Sequence, residues 1–339
     1  MGALYAEAAA WLVTALTNKG HHEEAYQAGS EALAVAEQVL QQRPGFRLAL
    51  HAEQVITGGL ASAALDDLNP GRALELAHKE EVVSTTLLNL DPNNTTSINN
   101  LAVAHGGVGD SLWALGRLSE SIPASFQSVG DFTRAAHGGN IFALVQTYST
   151  AGLAFHQSQT GDLQGATHTV QAVSPLLSEL RTRQPGSQTS MLADACTQLA
   201  WATIAYERGE LDEVHQLLAD SFKALRDLSR GEEQIPSEQW LALFFSANLA
   251  GHSHYLQGNF AAAEAEEREA LRARTKTAPG STADRRDLGE ISTWLTMALA
   301  RQHKPEAAQT IAPVVALQRE LASRNHGDRW QPFELACAL

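Results

Sequence analysis

Cysteine is nearly absent from this chain: of 339 residues only Cys196 and Cys337 carry thiols, 141 positions apart. Two isolated thiols make neither a disulfide framework nor the paired spacing of a zinc finger. A reducing compartment is therefore expected, with both acting as small apolar side chains. Basic residues are scarce too. Lys and Arg number 24 against 38 Asp and Glu, a formal charge of −14, which argues against a nucleic-acid partner because binding to phosphates rests on Lys and Arg displacing counterions. No apolar run reaches the ~18 residues of a membrane span, and the opening residues lack the basic-then-apolar order of a signal peptide. The expected location is cytoplasmic, with no membrane partner. Aromatics make up 6% of the chain and alternating valine-rich runs are missing, so the strand signal is missing as well.

What is abundant is Ala and Leu, strong helix formers, and they are arranged in a repeat. Seven short stretches open on a turn residue (Gly20, Leu68, Gly116, Gly161, Gly209, Gly258, Gln302) and close five positions later on a small one (Ala25, Ala73, Ser121, Ala166, Val214, Ala263, Ala307). The closing residues are separated by 48, 48, 45, 48, 49 and 44 positions, a mean of (307 − 25)/6 = 47. A period of this size means stacked supersecondary units, none of which buries its apolar face alone. Clusters of Pro and Gly fall once per period, at 43–45, 90–94, 137–140, 184–187, 231–236 and 278–281, where helix stops belong. Second helices carry apolar stripes such as Ala25, Ala28, Ala32, Val35 and Val39, while first helices are apolar around more of their girth, as at Ala247, Leu249, Ala250 and Tyr255. The pattern predicts an all-α solenoid of roughly fourteen helices of about 16 to 23 residues. It is read as one body of about seven hairpins, approximately 3–43, 46–90, 93–137, 140–183, 188–231, 236–277 and 281–325, with 326–339 a tail or the start of a further helix.

The turn pattern resembles the tetratricopeptide repeat, whose unit carries a Gly-x-Tyr/Leu-x-x-Ala turn, a small residue seven positions before it and an Asp-Pro at its end. The best match runs from Leu90 to Ser121 and includes Asp91-Pro92, Gly109 and Gly116. It is similar to the long-period repeats of large bacterial signalling proteins, attached there to kinase, nucleotide-switch or winged-helix modules. The period exceeds the family's usual ~34, so both helices must be longer than standard. Repeat two has Leu68 in place of the turn glycine, and repeat seven has Gln302 with Pro305 inside the turn.

The resemblance implies a right-handed solenoid whose first helices line a concave face. Its inner positions fall on Asp110 and Trp113, Tyr148 and Phe155, Tyr206, and His252 with Tyr255; Asn248 lies one turn before His252 on the same side. Aromatic rings edged by Asn, Asp and His suit a groove for a peptide or a small apolar ligand. The Lys/Arg clamp with which some family members hold a C-terminal carboxylate is missing from these positions, which points to an apolar, aromatic or basic segment as partner.

Other constellations have plainer readings. His252 and His254, two apart on a helix, diverge by ~200° and cannot share an ion. His21 and His22 sit in a turn beside acids suited to the start of the next helix. The glycines of Gly106-Gly107-Val108-Gly109 lie inside a helical stretch without a preceding strand and read as close packing between adjacent repeats. Asn94-Thr95-Thr96 reads as helix-start chemistry. Glu264, Glu266, Glu267 and Glu269 read as a solvated outer face. Phosphate-loop, nucleophile-elbow and zincin motifs are missing, so no metal, cofactor or catalytic residue is expected. The sequence thus points to a non-enzymatic scaffold in a bacterial signalling or regulatory protein, binding a partner segment in its groove, with self-association through the solenoid ends as a further possibility. The alternative is a small-molecule-sensing or catalytic helical protein using the same groove.

Overall fold

The computed structural model describes residues 1–135, 140–231, 237–276 and 282–323. The segments 137–139, 232–236 and 278–281, the tail 326–339 and Cys337 lie outside the described residues. The chain forms two compact units. The first carries three antiparallel pairs: α1 (Gly2–Asn18) with α2 (His22–Gln42), α3 (Arg47–Asp66) with α4 (Pro70–Leu90), and α5 (Thr95–Ala114) with α6 (Leu118–Ala135). Most of the second is four more pairs: α7 (Asn140–Gln159) with α8 (Leu163–Ala172) and α9 (Ser174–Arg183), α10 (Gln188–Glu207) with α11 (Leu211–Gly231), α12 (Ser237–Leu256) with α13 (Phe260–Arg274), and α14 (Thr282–Arg301) with α15 (Glu306–Ser323). No strand occurs among the described residues, and the architecture is the all-α helical-repeat solenoid that the 47-residue phase predicts. Among the described residues there are fifteen helices rather than fourteen. The second helix of the fourth pair is broken at Val173, because Pro175 in the first turn of α9 has no N–H to continue the ladder.

One turn geometry recurs seven times. Gly20, Gly116, Gly161, Gly209 and Gly258 all have positive φ, and so do Leu68 and His303, both at 56°. After each of them the next residue donates its N–H to a carbonyl five positions back, as in His21 to Leu16, Asn69 to Ala64 and Lys304 to Leu299. This is the left-handed helix stop that glycine adopts without strain. In repeat seven the left-handed residue is His303, one later than the expected Gln302, and it stands two before Pro305 as Leu68 stands two before Pro70. Leu68 holds the strained conformation because its side chain is buried. His303 is exposed and gains nothing in return, so His303→Gly should raise stability by about 1 kcal/mol. Thermal melts of the two proteins measure it; a lower melting temperature would mean that the imidazole makes a contact worth more than the strain.

Four of the helix starts are fixed by side chains. Asn69, Asn94, Asp162 and Ser187 each accept from the backbone N–H three residues on, so Asn94 plays the helix-start role expected of it. The buried stripe of α2 is Ala25, Gly29, Ala32 and Ala36, with Ala28, Val35 and Val39 half-buried at its edge. The cores are correspondingly lean: Val13, Ile56 and Leu60, with Leu74, Val108 and Leu112, in the first unit, and Leu218, Leu225, Leu243, Phe244 and Ile291 in the second. Cys196 is buried in that second core, and burial pushes its thiol up to about 12, as suits an inert apolar side chain.

Packing within the hairpins pairs several glycines with buried polarity. Four first-helix glycines, each n residues before the left-handed turn, face the second-helix residue n + 2 after it: Gly58 faces Glu80, Gly106 faces Ser128, Gly109 faces Ser125 and Gly251 faces Glu267. A Cβ at Gly58 would lie 2.7 Å from the Glu80 carboxylate, and one at Gly251 would overlap that of Glu267. In the seventh hairpin a Cβ at Gly289 would lie 2.7 Å from the Gln318 amide, with an offset of one rather than two about His303. The glycines at 106 and 109 were expected to serve packing between adjacent repeats; they open space for the other helix of their own pair, and only Gly107 touches the preceding repeat, at Ala77.

Candidate partner-binding face

Within each unit, first helices of neighbouring pairs exchange polar contacts. Glu7 of α1 meets His51 of α3 at 3.0 Å, and Asn100 of α5 donates to Gln54 of α3 at 2.9 Å. In the second unit the same relation holds between α12 and α14, forty-two positions apart: Asn248 Nδ2 donates to Glu290 Oε1 at 3.2 Å. The His252 ring lies against the Trp294 indole with centroids 4.0 Å apart. Tyr255 turns its edge to Trp294 at 5.5 Å and to Phe260 at 5.3 Å, and its hydroxyl accepts from Arg301 Nε at 3.2 Å. The structure thus brings Asn248, His252 and Tyr255 together on one face of α12, as their helical spacing requires.

Beneath this face lies a carboxylate reached by no donor among the described residues. Glu267 of α13 is 1% exposed, and neither of its oxygens has a hydrogen-bond partner. His252 Nε2 stands 3.8 Å from Glu267 Oε1 and 3.9 Å from Glu290 Oε1, beyond hydrogen-bond reach of either. Burial lowers the His252 imidazole to about 3, which leaves it neutral at ordinary pH. Burial raises Glu267 well above the usual carboxylate range, and the Glu290 and Glu266 charges add to the effect. Glu290 keeps 34% of its side chain in solvent, yet it is recessed enough that burial raises its carboxyl, with Asp287 adding and Asn248 opposing.

The remaining groove candidates are placed separately. Tyr206 of α10 is half-buried against the second core, and its hydroxyl is shifted up by burial first, then by Glu207 and Glu290. Tyr148 packs on that core too. Phe155 is 36% exposed beside buried His156. Asp110, exposed, and Trp113, half-buried, both sit on α5 in the first unit.

His252 and His254 do diverge. The His254 ring stacks on His215 of α11, centroids 3.8 Å apart and 17° from parallel, on a different side of α12 from Trp294. These two rings line a cleft of about 450 Å³ with Leu218, Phe222, Lys223 and Glu266. No group of three or more His, Cys, Asp or Glu among the described residues is placed to hold a metal ion, and no helix among them is long and apolar enough to cross a membrane.

The acidic run of α13 needs correction. Glu267 is buried, and the side chains of Glu264, Glu266 and Glu269 are only 12%, 21% and 18% exposed. They are engaged by Lys304 and Arg268, by Arg226, and by Arg272 respectively, so the run is an ion-paired layer rather than a solvated face. The readable signal was register: Ala263, Glu267 and Ala270 share one stripe. Trp294 was missed for a related reason, since it faces the groove candidates only through the offset between α12 and α14.

No protein-family model matches the chain, and no curated protein matches it. Among solved structures the chain is similar to the apo form of RapI, at 13% identity and a TM-score of 0.52, over 80% of this chain and 85% of that one. It is also similar to the APC/C hetero-tetramer Cut9-Hcn1, at 12% identity and a TM-score of 0.49, over 96% of this chain and 48% of that one. At such identity the likeness to RapI speaks for the fold alone, a tetratricopeptide-like helical repeat.

Proposed function

We propose that this chain is a protein-interaction scaffold that holds a segment of a protein partner against the first-helix face of its second unit. The observation that carries the reading is the half-buried set Tyr206, Tyr255 and Trp294, edged by Asn248, His252 and Glu290 on helices already ordered by packing. Rings held by a rigid scaffold lose little entropy on binding, which favours them as anchors. No reaction is assigned to these residues. The resemblance of the turns to long-period bacterial repeats supports a place in a signalling or regulatory protein.

The test is affinity capture from the native lysate, followed by titration of the recovered partner against Tyr206→Ala and Tyr255→Ala. Each variant should lose about 2 kcal/mol of binding per folded molecule. Variants that melt early yet bind normally when folded would place both rings in the core and move the partner surface elsewhere.

A further inference from the structure

Building on that reading, we propose that the corner formed by Glu267, Glu290, Asn248 and His252 receives the cationic head of an Arg or Lys side chain from the partner segment. Four buried polar atoms of these residues have no hydrogen-bond partner among the described residues: both Glu267 oxygens, Asn248 Oδ1 and His252 Nε2. Both carboxylates lie within 4 Å of that one imidazole nitrogen. Leaving buried acceptors unpaired is costly, and the groups that would pair them need several N–H donors and a positive charge. A guanidinium or ammonium supplies both.

The basic residues nearby are otherwise engaged. Arg226 pairs with Glu266 and Glu269, Arg286 with Asp287, and Arg301 donates to Tyr255. None of these bonds reaches Glu267. The rim favours the same occupant. Trp294 packs against the His252 ring and Tyr255 against Trp294, Tyr206 lies close enough to feel the Glu290 charge, and aromatic rings beside carboxylates attract a cation carried on an apolar stem. Glu290, one-third exposed, is the first contact, and Glu267 is the buried end of the site. The chain's net charge of −14 draws basic segments toward it generally, so the claim is local: these two carboxylates, rather than the overall charge, hold the cation.

The probe is an acetylated, amidated tetra-arginine peptide titrated calorimetrically into the full chain, beside the same peptide with citrulline at every position. The parent should bind tetra-arginine and not the citrulline peptide, and Glu267→Gln combined with Glu290→Gln should weaken binding by about tenfold or more. Both changes are close in shape and relieve buried charge, so the fold should hold, and the melting temperature checks that. Glu23→Gln with Glu24→Gln removes the same charge from exposed positions on α2 and should leave binding within about twofold, as expected of remote surface charges. Equal binding of the two peptides, or equal losses in the two double variants, overturns the proposal. If the tyrosine variants still lose partner capture in that case, the scaffold reading survives and only the cation site falls.

Discussion

Gly251→Leu should destabilise the second unit by about 2–3 kcal/mol, near the top of the range for overpacking a filled interior. The obstacle is specific: a Cβ at this position runs into the Glu267 carboxylate, which is itself buried. Replacing a helical glycine ordinarily gains about 1 kcal/mol of propensity, so the two effects have opposite signs and the structure says which wins. A double-mutant cycle isolates the contact. Truncating the obstacle with Glu267→Ala should recover much of the loss, giving a coupling of about 1 kcal/mol or more. If Gly251→Leu raises the melting temperature, α13 does not lie against this face of α12, and the register of the sixth hairpin is wrong.

That cycle also marks the limit of what could be read from the chain. The turns were legible because a left-handed residue is a backbone requirement that glycine advertises, and five of the seven sites carry glycine. The same logic located Leu68 from its place in the period. It slipped by one residue at the seventh turn, where the left-handed residue is His303 rather than Gln302. The buried acids were hidden by composition. Four glutamates within six positions look solvated, and only their register against Ala263 and Ala270, with a glycine at the mirrored distance across the turn, reveals that one points inward. Among the groove candidates, Asn248, His252 and Tyr255 shared a face because they share a helix. Their neighbours Glu290 and Trp294 depend on how one pair stacks on the next, which no local pattern encodes.

Glu80→Gln should make the first unit about 3 kcal/mol more stable than the parent at pH 8 and leave it little changed near pH 4.5, from a shift of 7 − 4.5 = 2.5 pH units at ~1.4 kcal/mol each. Glu80 is 3% exposed beneath Gly58, and accepts one hydrogen bond, from Gln54 Nε2 at 3.1 Å; Gln54 in turn accepts from Asn100. Burial raises its carboxyl to about 7, partly opposed by the Gln54 donor. Between pH 4.5 and 7 the folded chain therefore keeps a proton that the unfolded chain has released. The contribution of the neutral acid is complete below the unfolded value and is lost as pH rises through the folded one, so stability falls across this window. Glutamine keeps the shape and the acceptor for Gln54 without the charge, which removes that loss. Urea denaturation of both proteins at pH 4.5, 6 and 8 measures the effect as a difference of differences, in which the other titrating groups cancel. A gain that is the same at every pH would mean that water reaches the Glu80 carboxylate, and that the glycine opposite it serves only to let α3 and α4 approach.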